Sequence, residues 1–152
     1  MVAPVEVTVF PRLDCCVPDY TGKNRLLGEV LAEVKNQLGD RITVEIVSTF
    51  TRVDRLGYYE RMLETLLASN WPLPFSISSK HLEFYREATR LLRTGFVPPA
   101  SVMAGLRHIS AYFFHVTPVI AVDGKAVFVT AVPTVTDLYE VVKNIEAERE
   151  ER

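Results

Sequence analysis

Thr117-Pro118-Val119-Ile120-Ala121-Val122-Asp123-Gly124-Lys125 is the stretch whose reading decides the fold. Pro118 to Val122 is almost wholly apolar, and Asp123-Gly124 is a two-residue hairpin signal because both residue types accept a left-handed backbone. Ala126 to Thr130 then returns as an antiparallel strand. Pro133-Thr134 opens a helix in which Leu138, Val141, Val142 and Ile145 face inward, and the charged run Glu146 to Arg152 reads as a solvated, fraying end.

Working outward from this hairpin, Val5-Glu6-Val7-Thr8-Val9-Phe10 alternates apolar and polar residues and is β-branched, so it predicts a strand stopped by Pro11. Leu26, Leu27, Val30, Leu31, Val34 and Leu38 recur at helical spacing, which predicts a helix from Lys23 to Leu38 closed by Gly39-Asp40. Ile42 to Val47 repeats the strand pattern, completing a strand–helix–strand unit whose two strands must be parallel. Asp54 is the expected cap of a second helix carrying Tyr58, Met62, Leu63, Leu66 and Leu67, ended by Trp71-Pro72-Leu73-Pro74. A third helix starts at Ser78 or Ser79 and a fourth spans Ser101 to Phe114. The expected organisation is one domain over 1–152 with a helical insertion at about 69–117.

With 48% hydrophobic residues in 152, the chain is long enough to bury a substantial core. A net charge of −2 supplies no general attraction to nucleic acid or anionic lipid. No apolar run approaches the ~18 residues of a membrane span, and Met1 to Phe10 lacks the basic and apolar regions of a secretory signal, so a soluble cytoplasmic protein is expected. The only two cysteines are Cys15 and Cys16, which excludes a multi-bridge disulfide scaffold and an all-cysteine zinc site within one chain.

The order β-α-β, helices, β-β-α, with cysteine after the first strand and Thr117-Pro118 before the third, resembles the thioredoxin-like superfamily. The resemblance covers Val5 to Val47 and Thr117 to Ile145. It implies an α/β fold with a cis proline at Pro118 facing the active cysteine, and Thr117 as the residue whose backbone meets an extended substrate. The family's Cys-x-x-Cys motif is altered: Cys16-Val17-Pro18-Asp19 keeps the first cysteine and the proline but has Asp19 in place of the resolving thiol. The adjacent cysteines are also similar to the start of the arsenic metallochaperone family, whose further thiol is missing here.

A thiolate is both nucleophile and soft-metal ligand, and a helix N-terminus lowers its pKa. Cys16 stands just before the first helix and is the expected nucleophile; Arg12 favours its thiolate, whereas Asp14 and Asp19 oppose it by like charge. Asp19 is the expected helix cap, and Asp14 a candidate to influence proton transfer. A bridge between Cys15 and Cys16 would be strained, because consecutive Cα atoms lie ~3.8 Å apart against the ~4.4–6.8 Å that disulfides prefer. A mixed disulfide with a protein or small thiol is easier, with Cys15 or an external thiol resolving it. This chemistry implies no cofactor and no resident metal.

Three other readings stand beside it. One or both cysteines can be small apolar fillers of a loop. Two adjacent thiolates can hold a soft metal or metalloid, which would need a further group; His115 is the nearest candidate in sequence to Thr117-Pro118, while His81 and His108 lie in helical segments. Finally, the aromatic residues Tyr58, Tyr59, Trp71, Phe75, Phe84, Tyr85, Phe96, Tyr112, Phe113 and Phe114 exceed what a small sheet obviously needs, so their loops could form a groove or a homodimer contact in a module without chemistry. No glycine-rich phosphate loop, Gly-x-Ser-x-Gly elbow or metal-ligand spacing is present.

Overall fold

The computed structural model describes residues 3–12, 22–71, 83, 86, 87, 90, 91, 93–95 and 116–151. The strands are β1 (Val5–Phe10), β2 (Ile42–Ile46), β3 (Val119–Val122) and β4 (Lys125–Val129). The helices with complete bounds are α1 (Lys23–Leu38), α2 (Arg52–Ala68) and α3 (Val135–Glu150). The chain divides into two compact units: 1–46 with 117–152, and 47–116. The second unit therefore begins at Val47 and contains α2, upstream of the expected insertion at about 69.

The first unit is a mixed α/β structure with the sheet order β2-β1-β3-β4. β1 pairs parallel with β2, from Val5↔Ile42 to Val9↔Ile46, and antiparallel with β3, from Val7↔Val122 to Phe10↔Val119. Parallel pairing of β1 and β2 requires a crossover, which α1 supplies. β3 returns to β4 through Asp123 and Gly124, whose φ values of 49° and 83° are those of a tight hairpin turn matched to strand twist. The β3–β4 ladder shifts register at Ile120/Ala121, leaving Val127 without an opposing residue.

Alternation in β1 sends Val5, Val7 and Val9 to one face, where they meet Leu27, Val30, Val34 and Leu38 of α1 and Leu138 and Val142 of α3. These helix positions recur every three or four residues because one side of each helix must be apolar to leave water. β3 is buried at all four positions, which explains its unbroken apolar sequence; Glu6 on β1 and Glu45 on β2 are exposed.

The turn is clamped to the sheet and to α3. The Glu6 amide donates to Asp123 Oδ1 at 2.9 Å, the Asp123 amide donates to the Glu6 carbonyl at 2.8 Å, and Arg149 Nη2 meets Asp123 Oδ2 at 2.6 Å. Arg41 pairs with Glu146. The end of α3 is therefore helical to Glu150 and held by ion pairs, where the sequence reading had a fraying end from Glu146.

In the second unit, α2 starts from a capping box. Thr51 Oγ1 accepts from the Asp54 amide at 3.0 Å and the Asp54 carboxylate accepts from the Thr51 amide at 3.4 Å, so Thr51 is the N-cap and Asp54 is the third helical residue, not the cap expected for it. Leu56, Tyr58, Tyr59, Met62, Leu63 and Leu66 are buried. Glu83, Arg86, Glu87, Arg90, Leu91 and Arg93 are helical. Among the described residues no helix is long and apolar enough to cross a membrane.

Candidate functional site

Because Phe10 pairs with Val119, the chain leaves β1 at the end of the sheet where the Thr117–Pro118 segment enters β3. The end of β1 and the Thr117–Pro118 segment are thus brought side by side by register alone. Phe10 and Thr117 are both fully buried, and Pro118 is buried. The Thr117–Pro118 peptide is cis. The Pro118 carbonyl accepts from the Thr130 amide at 2.9 Å, which fixes the start of β3 against the residue following β4.

Beyond β1 the path is set by α1. Asn24, in the first turn, grips the backbone of Arg12 twice: its Oδ1 accepts from the Arg12 amide at 2.7 Å and its Nδ2 donates to the Arg12 carbonyl at 3.0 Å. A side-chain amide offers one acceptor and two donors in a plane, so it can stand in for a strand neighbour at a position where the sheet has ended. The two stems of the 13–21 segment, Arg12 and the start of α1, are therefore joined directly.

The N-terminus of α1 is unusual in what it lacks. Its N-cap is Gly22, at φ 72°, which has no side chain to accept from the first-turn amides, and no first-turn residue is acidic. The helix's partial positive charge is thus neutralised by neither an N-cap side chain nor a first-turn acid. The N-cap expected at Asp19 is instead three residues later, at a residue that cannot perform the side-chain role. Glycine suits the position because an L side chain is disfavoured at that φ.

Cys15 and Cys16, with Asp14, Pro18 and Asp19, lie outside the described residues, as do His81, His108 and His115. So do Phe75, Phe84, Tyr85, Phe96, Tyr112, Phe113 and Phe114. Of the expected site residues, Thr117 and Pro118 are described, and the side-chain tie at Asn24 is one that sequence reasoning missed. A polar residue in a first helical turn is ordinarily solvated, and nothing in the local pattern marks a partner twelve residues upstream.

Proton affinities shift elsewhere for structural reasons. Hydrogen bonds from Ser48 and then Thr51 hold the Asp54 carboxyl below its ordinary range. The Arg41 guanidinium does the same for Glu146. Burial pushes the Tyr58 hydroxyl well up. Among the described residues no three His, Cys, Asp or Glu side chains gather as a metal site. No protein-family model and no curated protein matches the chain.

Proposed function

We propose that the protein is a thioredoxin-like thiol redox protein of the cytoplasm in which Cys16 attacks a disulfide of a protein or small-thiol substrate. In that step the Cys16 thiolate forms a new S–S bond, the substrate's bond breaks, and its second sulfur leaves as a thiolate that takes up a proton. Cys15, or an external thiol such as glutathione, then attacks the mixed disulfide and releases the reduced substrate sulfur, leaving the oxidising equivalent on that thiol pair. Thr117 and Pro118 form the wall toward which the substrate segment lies, and Pro18, Asp19 and Asp14 set the surroundings of the thiol.

The observation that carries the reading is the pairing Phe10↔Val119 within the order β2-β1-β3-β4. It puts the exit of β1, from which the Cys15-Cys16 segment departs, at the same sheet end as Thr117-Pro118. The tie between Asn24 and Arg12 and the glycine N-cap of α1, which offers no side-chain acceptor, add support, since a positive helix end lowers the pKa of a nearby thiol.

The test is the alkylation rate of each cysteine against pH, resolved by peptide mass spectrometry on the wild type and on Cys15→Ser and Cys16→Ser. Cys16 is expected to react with an apparent pKa below the ~8.5 of a free thiol, and Cys16→Ser to abolish turnover of a mixed disulfide. Two inert thiols, or two with free-cysteine behaviour, would overturn the redox reading. A module without chemistry is favoured by one observation, the 97% exposure of Phe50 directly ahead of α2. Phe50→Ala would then abolish partner binding while both cysteine variants leave it intact.

A further inference from the structure

Asp123-Gly124 is the one place in the sequence where an aspartate is followed by glycine, and no asparagine is. Forming a turn does not exhaust the chemistry of that pair. The nitrogen of a following residue can attack the side-chain carboxyl carbon of an aspartate, and glycine, without a Cβ, leaves the approach unobstructed. The Asp123 side chain is 28% exposed, so water reaches it. We infer that Asp123–Gly124 is a self-modification site, at which the chain converts aspartate to isoaspartate, and that Arg149 is the residue that holds it closed in the folded protein.

The conversion needs no co-reactant but water. The Gly124 nitrogen bonds to Asp123 Cγ, the carboxyl hydroxyl leaves with the amide proton as water, and a five-membered imide closes. Water then adds to the Asp123 main-chain carbonyl and cleaves its bond to the Gly124 nitrogen, which stays on Cγ. The former main-chain carbonyl becomes the free carboxylate, and the backbone now runs through Cβ and Cγ. Mass and charge are unchanged, but the turn is one main-chain atom longer. Loop length and turn type set hairpin register, and the φ values of 49° and 83° belong to the unmodified two-residue turn. Isoaspartate at 123 therefore costs the β3–β4 turn its geometry and takes the carboxylate away from β1 and α3.

In the folded chain the attack is obstructed. Asp123 Oδ1 accepts from the Glu6 amide on β1 at 2.9 Å, and Oδ2 accepts from Arg149 Nη2 on α3 at 2.6 Å. A carboxyl group held at both oxygens by two different elements turns toward Gly124 only by giving up at least one of these bonds. The Glu6 contact extends the β1–β3 ladder past its last pair, Val7↔Val122, and is doubled by the Asp123 amide, which donates to the Glu6 carbonyl at 2.8 Å. Arg149 is the removable member, because it stands in the last turn of α3. Its Nη1 donates to the Ala3 carbonyl at 2.6 Å, and a planar guanidinium anchored at one prong presents the other in a fixed place. The reaction thus draws on the population of locally opened turn, and its rate follows the free energy of that opening.

The experiment is to age the full chain, in reductant, at physiological temperature and neutral pH, and to follow isoaspartate at residue 123 by peptide mass spectrometry with electron-transfer fragmentation. Aliquots are kept in buffer and in urea concentrated enough to unfold them. The unfolded chain should accumulate isoaspartate at 123, and the folded wild type should do so at least about tenfold more slowly. Arg149→Met should speed the folded-state reaction at least about threefold with the helical circular dichroism unchanged. Arg41→Met removes the ion pair with Glu146 on the same helix without touching Asp123, and should leave the rate at its wild-type value. An unfolded chain that does not isomerise, a folded wild type that reacts as fast as the unfolded one, or Arg149→Met at the wild-type rate would each overturn the inference. So would Arg41→Met matching Arg149→Met, since fraying of α3 and not the carboxylate contact would then set the rate. No cysteine takes part, so this inference and the redox proposal fail independently.

Discussion

Asn24 does for the backbone of Arg12 what a neighbouring strand does for β1, and it does so from a helix. Replacing it with alanine removes both bonds at once, and the stems of the 13–21 segment lose their direct tie. Asn24→Ala should cost about 1–3 kcal/mol of stability, measured by urea denaturation, and should speed proteolysis within 13–21 more than elsewhere. Asp54 is a second residue whose role is reciprocal: it accepts from Ser48 Oγ and from the Thr51 amide, and its folded pKa lies below the unfolded one. The stability it contributes is complete above the ordinary aspartate pKa of ~3.9 and is lost as pH falls through the lower folded value. Stability of wild type should therefore fall more steeply below about pH 4 than that of Asp54→Ala, which lacks the titrating group. At this scale the sequence was only partly legible. A hydroxyl or carboxylate ahead of an apolar run marks a helix start, yet both Thr51 and Asp54 qualify, and which one occupies the N-cap depends on the extended backbone at Thr51.

Single residues acquire their weight from the elements they join. Asp123 sits at φ 49° in the β3–β4 turn, accepts from the Glu6 amide on β1, and pairs with Arg149 on α3. Asp123→Ala should cost about 1–3 kcal/mol by chemical denaturation, because an amide acceptor and a partly buried ion pair are lost together and alanine is less suited to a left-handed turn. Arg149→Met should cost less, since it removes the ion pair and leaves the turn and the Glu6 bond in place. The elements themselves were the most legible part of the chain. α1 spans Lys23–Leu38 as its periodicity and Gly39 imply, and the four strands are where alternation and the Asp123-Gly124 signal put them, to within a residue. The held end of α3 was not legible, because Arg41 and Glu146 are 105 positions apart and each reads locally as a solvated charge.

At the scale of the whole molecule, the sheet's helical face is closed by one cluster drawn from both ends of the sequence. Leu138 is fully buried in it, so Leu138→Ala should lower stability by about 2–5 kcal/mol, whereas Leu26→Ala, at a site 50% exposed, should stay within about 1 kcal/mol; thermal or urea unfolding distinguishes them. Both leucines satisfy the same helical spacing, and only the packed arrangement separates the inward one from the outward one. The candidate site shows the same limit more sharply. Local pattern identifies Thr117-Pro118 and the end of β1 as separate features, and their adjacency is a property of the register between strands more than a hundred residues apart.

That register also imposes an order on synthesis. β1 emerges first and β2 follows with α1 after few residues, but β3, the neighbour on the other side of β1, is made only after the 47–116 unit has been completed. Until then the nascent chain holds Val5 to Phe10 with one side unpaired, and Ile120, Val122, Leu138 and Val142 are still missing from the core. A ribosome paused before residue 117 would present a hydrophobic strand edge to its surroundings, and chaperone capture should concentrate on chains of that length.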